Sequence, residues 1–285
     1  MSSSLILPAP AKLNLFLHIT GKRADGYHNL QTLFIFLDYG DLLTFTPVED
    51  EKIVLGSPIS GIATEDNLIY RAAKCLEPYR KKNCGVRIDL DKRLPMGGGL
   101  GGGSSDAATT LLAVNLLWEC GLSEDELAAL GCKLGADVPV FVRCKASFAQ
   151  GVGEILQPVE LPEKWYLVIA PEVQVSTKEI FSHPDLVRDT PVKNWQELST
   201  GSWHNDCEHL VKKLYEPVAK SLDWLVQYAP SRMTGTGACV FGEFADYKSA
   251  SQALDKVPST WRAFVARGCC QSPLREKLDS YLQGR

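Results

Sequence analysis

Between Leu94 and Ala108 the chain reads Leu94-Pro-Met-Gly-Gly-Gly-Leu-Gly-Gly-Gly-Ser-Ser-Asp-Ala-Ala108, and six of the seven residues from Gly97 to Gly103 are glycine. Ordering so many glycines is costly, because glycine loses more backbone freedom on folding than any other residue. Such a run makes sense where backbone must come close to something. Ser104, Ser105 and Asp106 follow, then apolar residues at helical spacing: Ala107, Ala108, Leu111, Leu112, Val114, Leu116 and Leu117. A glycine loop that opens a helix aims several N–H groups and the positive end of the helix dipole at one spot, which suits a phosphate.

Three owners of such a loop can be weighed. A Walker loop needs lysine after its second glycine, and Gly103 stands there. A dinucleotide fingerprint is formally present at Gly97, Gly99 and Gly102, but it should follow a buried parallel strand. The preceding segment Val86-Arg-Ile-Asp-Leu-Asp-Lys-Arg-Leu-Pro95 instead alternates apolar and charged residues, as a half-exposed antiparallel strand does. A flexible linker would not run straight into a helix. The third owner is a kinase loop of another kind. Pro-x-x-x-Gly-Leu-Gly, further glycines and Ser-Ser-x-Ala-Ala resemble the central motif of the GHMP kinases.

That resemblance extends along the chain. The family's opening motif is matched by Pro8-Ala-Pro-Ala-Lys-Leu-Asn-Leu-Phe-Leu17, and its closing glycine-rich strand entry by Ser231-Arg-Met-Thr-Gly-Thr-Gly-Ala-Cys-Val-Phe241. Arg23-Ala-Asp-Gly-Tyr-His28 and Gly135-Ala-Asp-Val-Pro-Val-Phe141 resemble the branch that acts on a cytidine diphosphate-linked methylerythritol. The likeness runs from Pro8 to Leu274. It implies an α+β, two-domain GHMP kinase fold, with an N-terminal domain like ribosomal protein S5 domain 2 and a ferredoxin-like C-terminal domain. The expected domains are residues 1–160, with the ATP phosphate loop, and residues 161–285.

The resemblance also implies roles. ATP is the expected co-substrate, with Mg2+ alongside it. Pro95, Met96, Gly97, Gly98, Gly99, Leu100, Gly101, Gly102, Gly103, Ser104 and Ser105 would hold its phosphates, and Asn67 and Lys92 would lie near its base. The two serines would add hydroxyl donors or a magnesium ligand, although either also serves as a plain helix cap. Asp137 would be the general base and Lys12 its electrostatic partner. From sequence alone, Asp137 reads equally as a turn aspartate and Lys12 as a strand-edge lysine with its head in water. Asn14 shares a strand face with Lys12 and would bind the polyol hydroxyls. Tyr27 and His28 would hold the cytosine, with Thr177 and Phe181 as further pocket residues. Lys178 falls in the same short match as Thr177. The expected reaction transfers the γ-phosphate of ATP to the 2-hydroxyl of the polyol. Homoserine or mevalonate as acceptor, or a nucleotide-binding regulator without catalysis, are the alternatives.

The bulk numbers fit a kinase of small molecules. The 285 residues are 45% hydrophobic, enough for two modest domains. A net charge of −4 argues against nucleic acid as partner. No apolar run suits a membrane span or an export signal, so cytoplasmic residence is expected. Nine cysteines, an odd number without a Cys-x-x-Cys pair, argue against a disulfide framework or zinc site. Cys269-Cys270 receives no role. His18, His183, His204 and His209 lack metal-ligand spacing, and no resident metal site is expected. A monomer or homodimer is expected.

Local signals place the elements. Strands are predicted over 12–20 and 30–37, a strand pair over 42–55, and a helix of some fifteen residues after Thr64. A strand at 86–92, the loop and a helix to Glu119 follow. Ser123-Glu-Asp-Glu126 is a capping box whose helix should stop at Gly135. Val140–Val142 and Ala146–Gln150 read as strands. After a boundary near 157–164 come a strand at 165–170, helix over 206–228 interrupted at Pro217, strand 238–244, helix 246–256, strand 262–268 and a helix over 273–283.

Overall fold

A computed structural model describes residues 4–283. Its framework is a long antiparallel ribbon. β1 (Leu5–Lys22) pairs with β2 (His28–Val48) along nearly its whole length. Ladder irregularities between Pro10 and Lys12 and between Asn14 and Leu17 bracket the Lys12–Asn14 stretch. Bulges of this kind bend a strand and re-aim its side chains, here toward the future site.

Four further strands extend this layer. β3 (Ile53–Leu55) runs parallel to β4 (Gly85–Asp91), which pairs antiparallel with the second half of β2. The predicted strand pair over 42–55 is therefore corrected: 42–48 continues β2, and 53–55 bonds to β4 instead. β5 (Ser147–Gln150) pairs with both β2 and β6 (Ile155–Pro158), the latter not predicted. The C-terminal half contributes β7 (Trp165–Ala170), β8 (Ser231–Met233), β9 (Val240–Phe244) and β10 (Arg262–Cys269), antiparallel in the order β10-β7-β9-β8. β10 meets β2 through Gly268 and Cys269, which face Leu37 and Phe36. Only one of these pairings is parallel, as an α+β architecture requires.

Helices cover the sheet. After the turn at Thr64–Asp66, Asn67 caps α1 (Leu68–Cys75), its Oδ1 accepting from Ile69 N at 2.9 Å. The helix predicted to follow Thr64 is thus shorter and begins at Leu68, after the Asn67 cap. α2 (Gly102–Leu117) is apolar on nearly every side and buried against α1 and β1. α3 (Glu124–Cys132) has the predicted capping box at Ser123 and Glu126, but ends at Cys132, short of Gly135. α4 (Val138–Arg143) replaces the strand predicted at Val140–Val142. Its β-branched run favours a strand, yet Pro139 in the first turn and packing against α2 and α3 decide for helix. The second half carries α5 (Thr177–Ser182), α6 (Trp195–Ser199), α7 (Glu208–Leu214), α8 (Glu216–Leu225) and α9 (Tyr247–Leu254). Pro217 divides α7 from α8 as predicted, standing in the first turn of α8. α10 (Pro273–Gln283) returns to pack on β1, so Leu274 and Leu278 join the core of α1, α2 and α4.

A second buried cluster crosses between the halves. Leu13 and Phe16 of β1, Leu94 and Leu100 of the glycine segment, and Val168, Phe241 and Phe264 of the C-terminal sheet pack together. This apolar seam lies directly behind the glycine loop. All nine cysteines are free.

Candidate active site

The three sequence motifs converge at one end of this seam. Gly97, Gly99 and Gly101 take left-handed backbone conformations. The crowding explains why glycine is needed: a Cβ on Gly99 would run into the Thr234 carbonyl, and one on Gly101 would lie 2.7 Å from the Phe141 ring. Backbone bonds then lock the motifs together. Lys12 N donates to Leu100 O at 3.0 Å, and Cys239 N donates to Gly98 O at 3.1 Å. Thr234 Oγ1 accepts from Asn14 N at 2.9 Å and donates to Gly99 O at 3.3 Å. The buried Asn205 braces the last glycine turn from below, its Nδ2 donating to Met233 O and Gly235 O.

The result is a cavity of about 540 Å³ between the two halves. Pro95 to Ser104 form one wall, leading into the N-terminus of α2. Lys12, Asn14 and Asp137 lie at its centre, while Thr177, Phe181 and Thr236 line the other end. Asn67 with Ile59, Ile62 and Leu68 forms an apolar flank beside the loop.

Lys12 is almost wholly buried, 3% exposed, which removes the strand-edge reading. Its Nζ donates to Gly99 O at 3.1 Å and to Asn14 Oδ1, and stands 3.3 Å from Asp137 Oδ2. Asp137 precedes α4 yet makes no capping bond with its side chain, so the turn-aspartate reading fails too. Its carboxylate is 34% exposed and faces both the cavity and a lysine. A carboxylate so placed can accept a proton from a bound hydroxyl while the neighbouring cation offsets the charge.

Other expected residues divide. Lys92 lines the cavity, but Asp41 and Asp106 hold its ammonium at 2.5 and 3.1 Å. Ser105 faces inward from α2, fully buried and off the cavity wall. Tyr27 and His28 are also outside the wall: Tyr27 is 63% exposed, and His28 stacks on Phe181 at 5.1 Å. Arg188 Nε donates to His28 Nε2 at 3.0 Å. Burial, with Arg188 next, lowers the pKa of His28 and keeps it neutral near pH 7. Residues not anticipated from sequence are Asp41, Asp106, Thr236 and Asn205. Asp106 stands inside the glycine-loop motif, but nothing local distinguishes it. No group of three or more acidic, histidine or cysteine side chains poised for a metal occurs among the described residues.

Comparison with known proteins places the chain in a family. Residues 67–145 match the GHMP kinases N terminal domain and residues 185–263 the GHMP kinases C terminal domain. The chain belongs to the GHMP kinase family. Among curated GHMP kinases, a 4-diphosphocytidyl-2-C-methyl-D-erythritol kinase of Tolumonas auensis is 61% identical, over 95% of each chain. The protein of the same name from Vibrio cholerae is 55% identical over 97% of this chain and 95% of its own. A solved GHMP kinase structure, 4-(cytidine 5'-diphospho)-2C-methyl-D-erythritol kinase, superposes with a TM-score of 0.80 at 32% identity, covering 93% of this chain and 99% of that one. A mevalonate kinase, at TM-score 0.67 and 17% identity, shares the GHMP kinase fold. The two-domain α+β architecture is that of the family, and no helix among the described residues is long and apolar enough to cross a membrane.

Proposed function

We propose that the chain is an ATP-dependent kinase that phosphorylates the 2-hydroxyl of 4-diphosphocytidyl-2-C-methyl-D-erythritol, in the methylerythritol phosphate route to isoprenoid precursors. The observation that carries the chemistry is the Lys12–Asp137 pair, joined at 3.3 Å beside the glycine cradle and open to one cavity. Support for the acceptor comes from the relatives' names at 55–61% identity over nearly full length.

In this reading the N–H groups of residues 96–104 and the N-terminus of α2 receive the ATP polyphosphate. Asn67 and the apolar flank beside it take the base. Asn14 orients the polyol, and Asp137 takes the proton of its 2-hydroxyl as that oxygen attacks the γ-phosphorus. Lys12, 3.3 Å from Asp137, offsets the negative charge of that carboxylate and of the attacking oxygen as the proton moves between them. Thr177 and Phe181 would hold the cytidine end, with Tyr27 and His28 closing over the base. Mg2+, which takes few protein ligands and keeps waters and phosphates, fits a site offering Ser104 and one accessible carboxylate; bound, it would neutralise phosphate charge. Residues 1–160 would supply the nucleotide half and 161–285 the second domain. All the proposed residues come from one chain, which a monomer or a homodimer would satisfy.

A coupled ADP-release assay with the cytidyl polyol, homoserine and mevalonate tests this, with phosphorus NMR to locate the new ester. Turnover confined to the cytidyl polyol, with product at the 2-position, is expected. Faster turnover of homoserine or mevalonate would overturn the acceptor assignment, and ATP hydrolysis without ester formation would overturn the kinase reading.

A further inference from the structure

Asn14 stands in the middle of a run of hydrogen bonds that crosses the floor of the cavity. Lys12, Asn14 and Thr32 are almost wholly buried, and all three line the cavity. Lys12 Nζ donates to Asn14 Oδ1, Asn14 Nδ2 donates to Thr32 Oγ1 at 2.8 Å, and Thr32 Oγ1 donates to Phe16 O at 2.5 Å. The last contact sits at the bulge of β1 between Asn14 and Leu17, where Leu17 pairs with Thr32 of β2. Asn14 N is held separately, by Thr234 Oγ1 at 2.9 Å.

Chemistry gives this run one direction. A backbone carbonyl can only accept, so the Thr32 hydroxyl gives its one hydrogen to Phe16 O and meets Asn14 with a lone pair. An ammonium can only donate, so the Asn14 carboxamide oxygen faces Lys12. The two ends agree. Turning the amide over would set donor against donor at Lys12 and acceptor against acceptor at Thr32.

Lys12 has no N–H to spare. Its three donors meet Asn14 Oδ1, Gly99 O at 3.1 Å and Asp137 Oδ2 at 3.3 Å. Asn14 has one: its amide carries two N–H groups, and Thr32 takes only the first. We propose that Thr32 is a positioning residue for the phosphoryl transfer, whose hydroxyl fixes the Asn14 carboxamide so that it offers one N–H to an oxygen of the acceptor alcohol and its own oxygen to Lys12. An alcohol oxygen supplies the lone pair that such a donor needs. Without the Thr32 hydroxyl the amide loses its anchor on the side away from Lys12. The acceptor then loses a directed contact, and Lys12 loses one of the three acceptors that hold it against Asp137.

The inference rests on the kinase reading of this cavity. Steady-state kinetics of the full chain, with the cytidyl polyol and ATP varied in turn, test it in Thr32→Val, Thr32→Ser, Asn14→Ala and the Thr32→Val, Asn14→Ala double variant. Thr32→Val keeps the side-chain shape and removes the hydroxyl. Its kcat/KM for the polyol should fall about tenfold, with the KM for ATP within about twofold of wild type. Thr32→Ser, which keeps the hydroxyl, should stay within about threefold of wild type. In the Asn14→Ala background Thr32→Val should cost nothing further, because Thr32 acts through Asn14. Thr32→Val as active as wild type, Thr32→Ser as impaired as Thr32→Val, or two costs that simply multiply in the double variant would each overturn the proposal. Nitrogen-15 NMR of the Asn14 side-chain amide, assigned by its absence in Asn14→Ala, reads the anchoring without any substrate. The signal should move in Thr32→Val and hold its place in Thr32→Ser; an unmoved signal in Thr32→Val overturns the inference. A wild type that does not turn over the cytidyl polyol removes the proposed acceptor, and the amide signal then decides this inference by itself. Should Thr32→Val not fold, Thr32→Ala takes its place in both measurements.

Discussion

Two lysine–aspartate groups flank the glycine loop, built from the same residue types and put to different ends. On one side Lys12 meets a single carboxylate, Asp137, which is 34% exposed and free of backbone donors. On the other, Lys92 is caught between Asp41 and Asp106, which are 0% and 2% exposed. A buried pair loses much of its Coulomb gain to desolvation and survives only when further hydrogen bonds satisfy its lone pairs. Asp41 meets that condition with two backbone N–H groups, so its ion pair can hold structure. Asp137 has one partner and an open face, so its free lone pairs are available to a substrate. Exposure and acceptor count separate the pair we assign to the chemistry from the one that holds structure.

The largest expected break in this contrast is Asp137→Asn. Loss of the base should cut kcat by about 10²–10⁴-fold, with ATP affinity and melting temperature nearly unchanged. Turnover within a few-fold of wild type would show that Asp137 is not the base. Lys12→Met should cost about 10²–10³-fold and lower melting somewhat, because Lys12 also ties Asn14 to Gly99.

Asp41→Ala should do the reverse. Removing it strips Lys92 of one partner and orphans the N–H groups of Arg93 and Leu94. About 3–5 kcal/mol of stability should be lost, read by urea denaturation, while kcat of the folded fraction stays within about threefold. A stable, inactive Asp41→Ala would place this cluster in the chemistry and erase the contrast.

The contrast was only half legible in the sequence. The reactive half could be expected because Lys12, the glycine run and Asp137 each sit inside a contiguous motif of recognised form. The elements around them were legible for the same local reason: the Ser123 capping box and Pro217 act over a few residues. What failed was set by distant packing. Val140-Phe-Val142 reads as strand by composition and becomes part of α4 because α2 and α3 cover it. Residues 42–48 look like a separate strand because Tyr39-Gly-Asp41 interrupts the apolar run, yet β2 passes straight through. The Asp41–Lys92–Asp106 cluster joins positions 41, 92 and 106 across three elements, and no local spacing announces it. Gly135 was expected to cap α3 by its conformational freedom, but it takes no left-handed conformation.

The smallest prediction sharpens the buried half through pH. Asp106 holds its proton up to about pH 7 in the folded chain, against an ordinary carboxyl value near 4. Raising the pH through that window therefore ionises the unfolded chain first and drains stability, until the folded carboxyl also ionises near 7. His18 works in the opposite sense. Burial, with His204 next, lowers its pKa to about 4, so its contribution is present above the ordinary histidine value and is lost as the pH falls toward 4. The wild-type profile mixes both slopes, and only a difference separates them. Asp106→Asn keeps His18 and removes the proton, so the melting temperature of the variant minus that of the wild type should rise between pH 4 and 7 and level off above. By pH 8 the gap should have grown by several °C, measured by differential scanning fluorimetry across one buffer series. A gap that stays constant over that range would mean that Asp106 is ionised in the folded chain throughout, and that Lys92 satisfies both carboxylates as completely as Lys12 satisfies one.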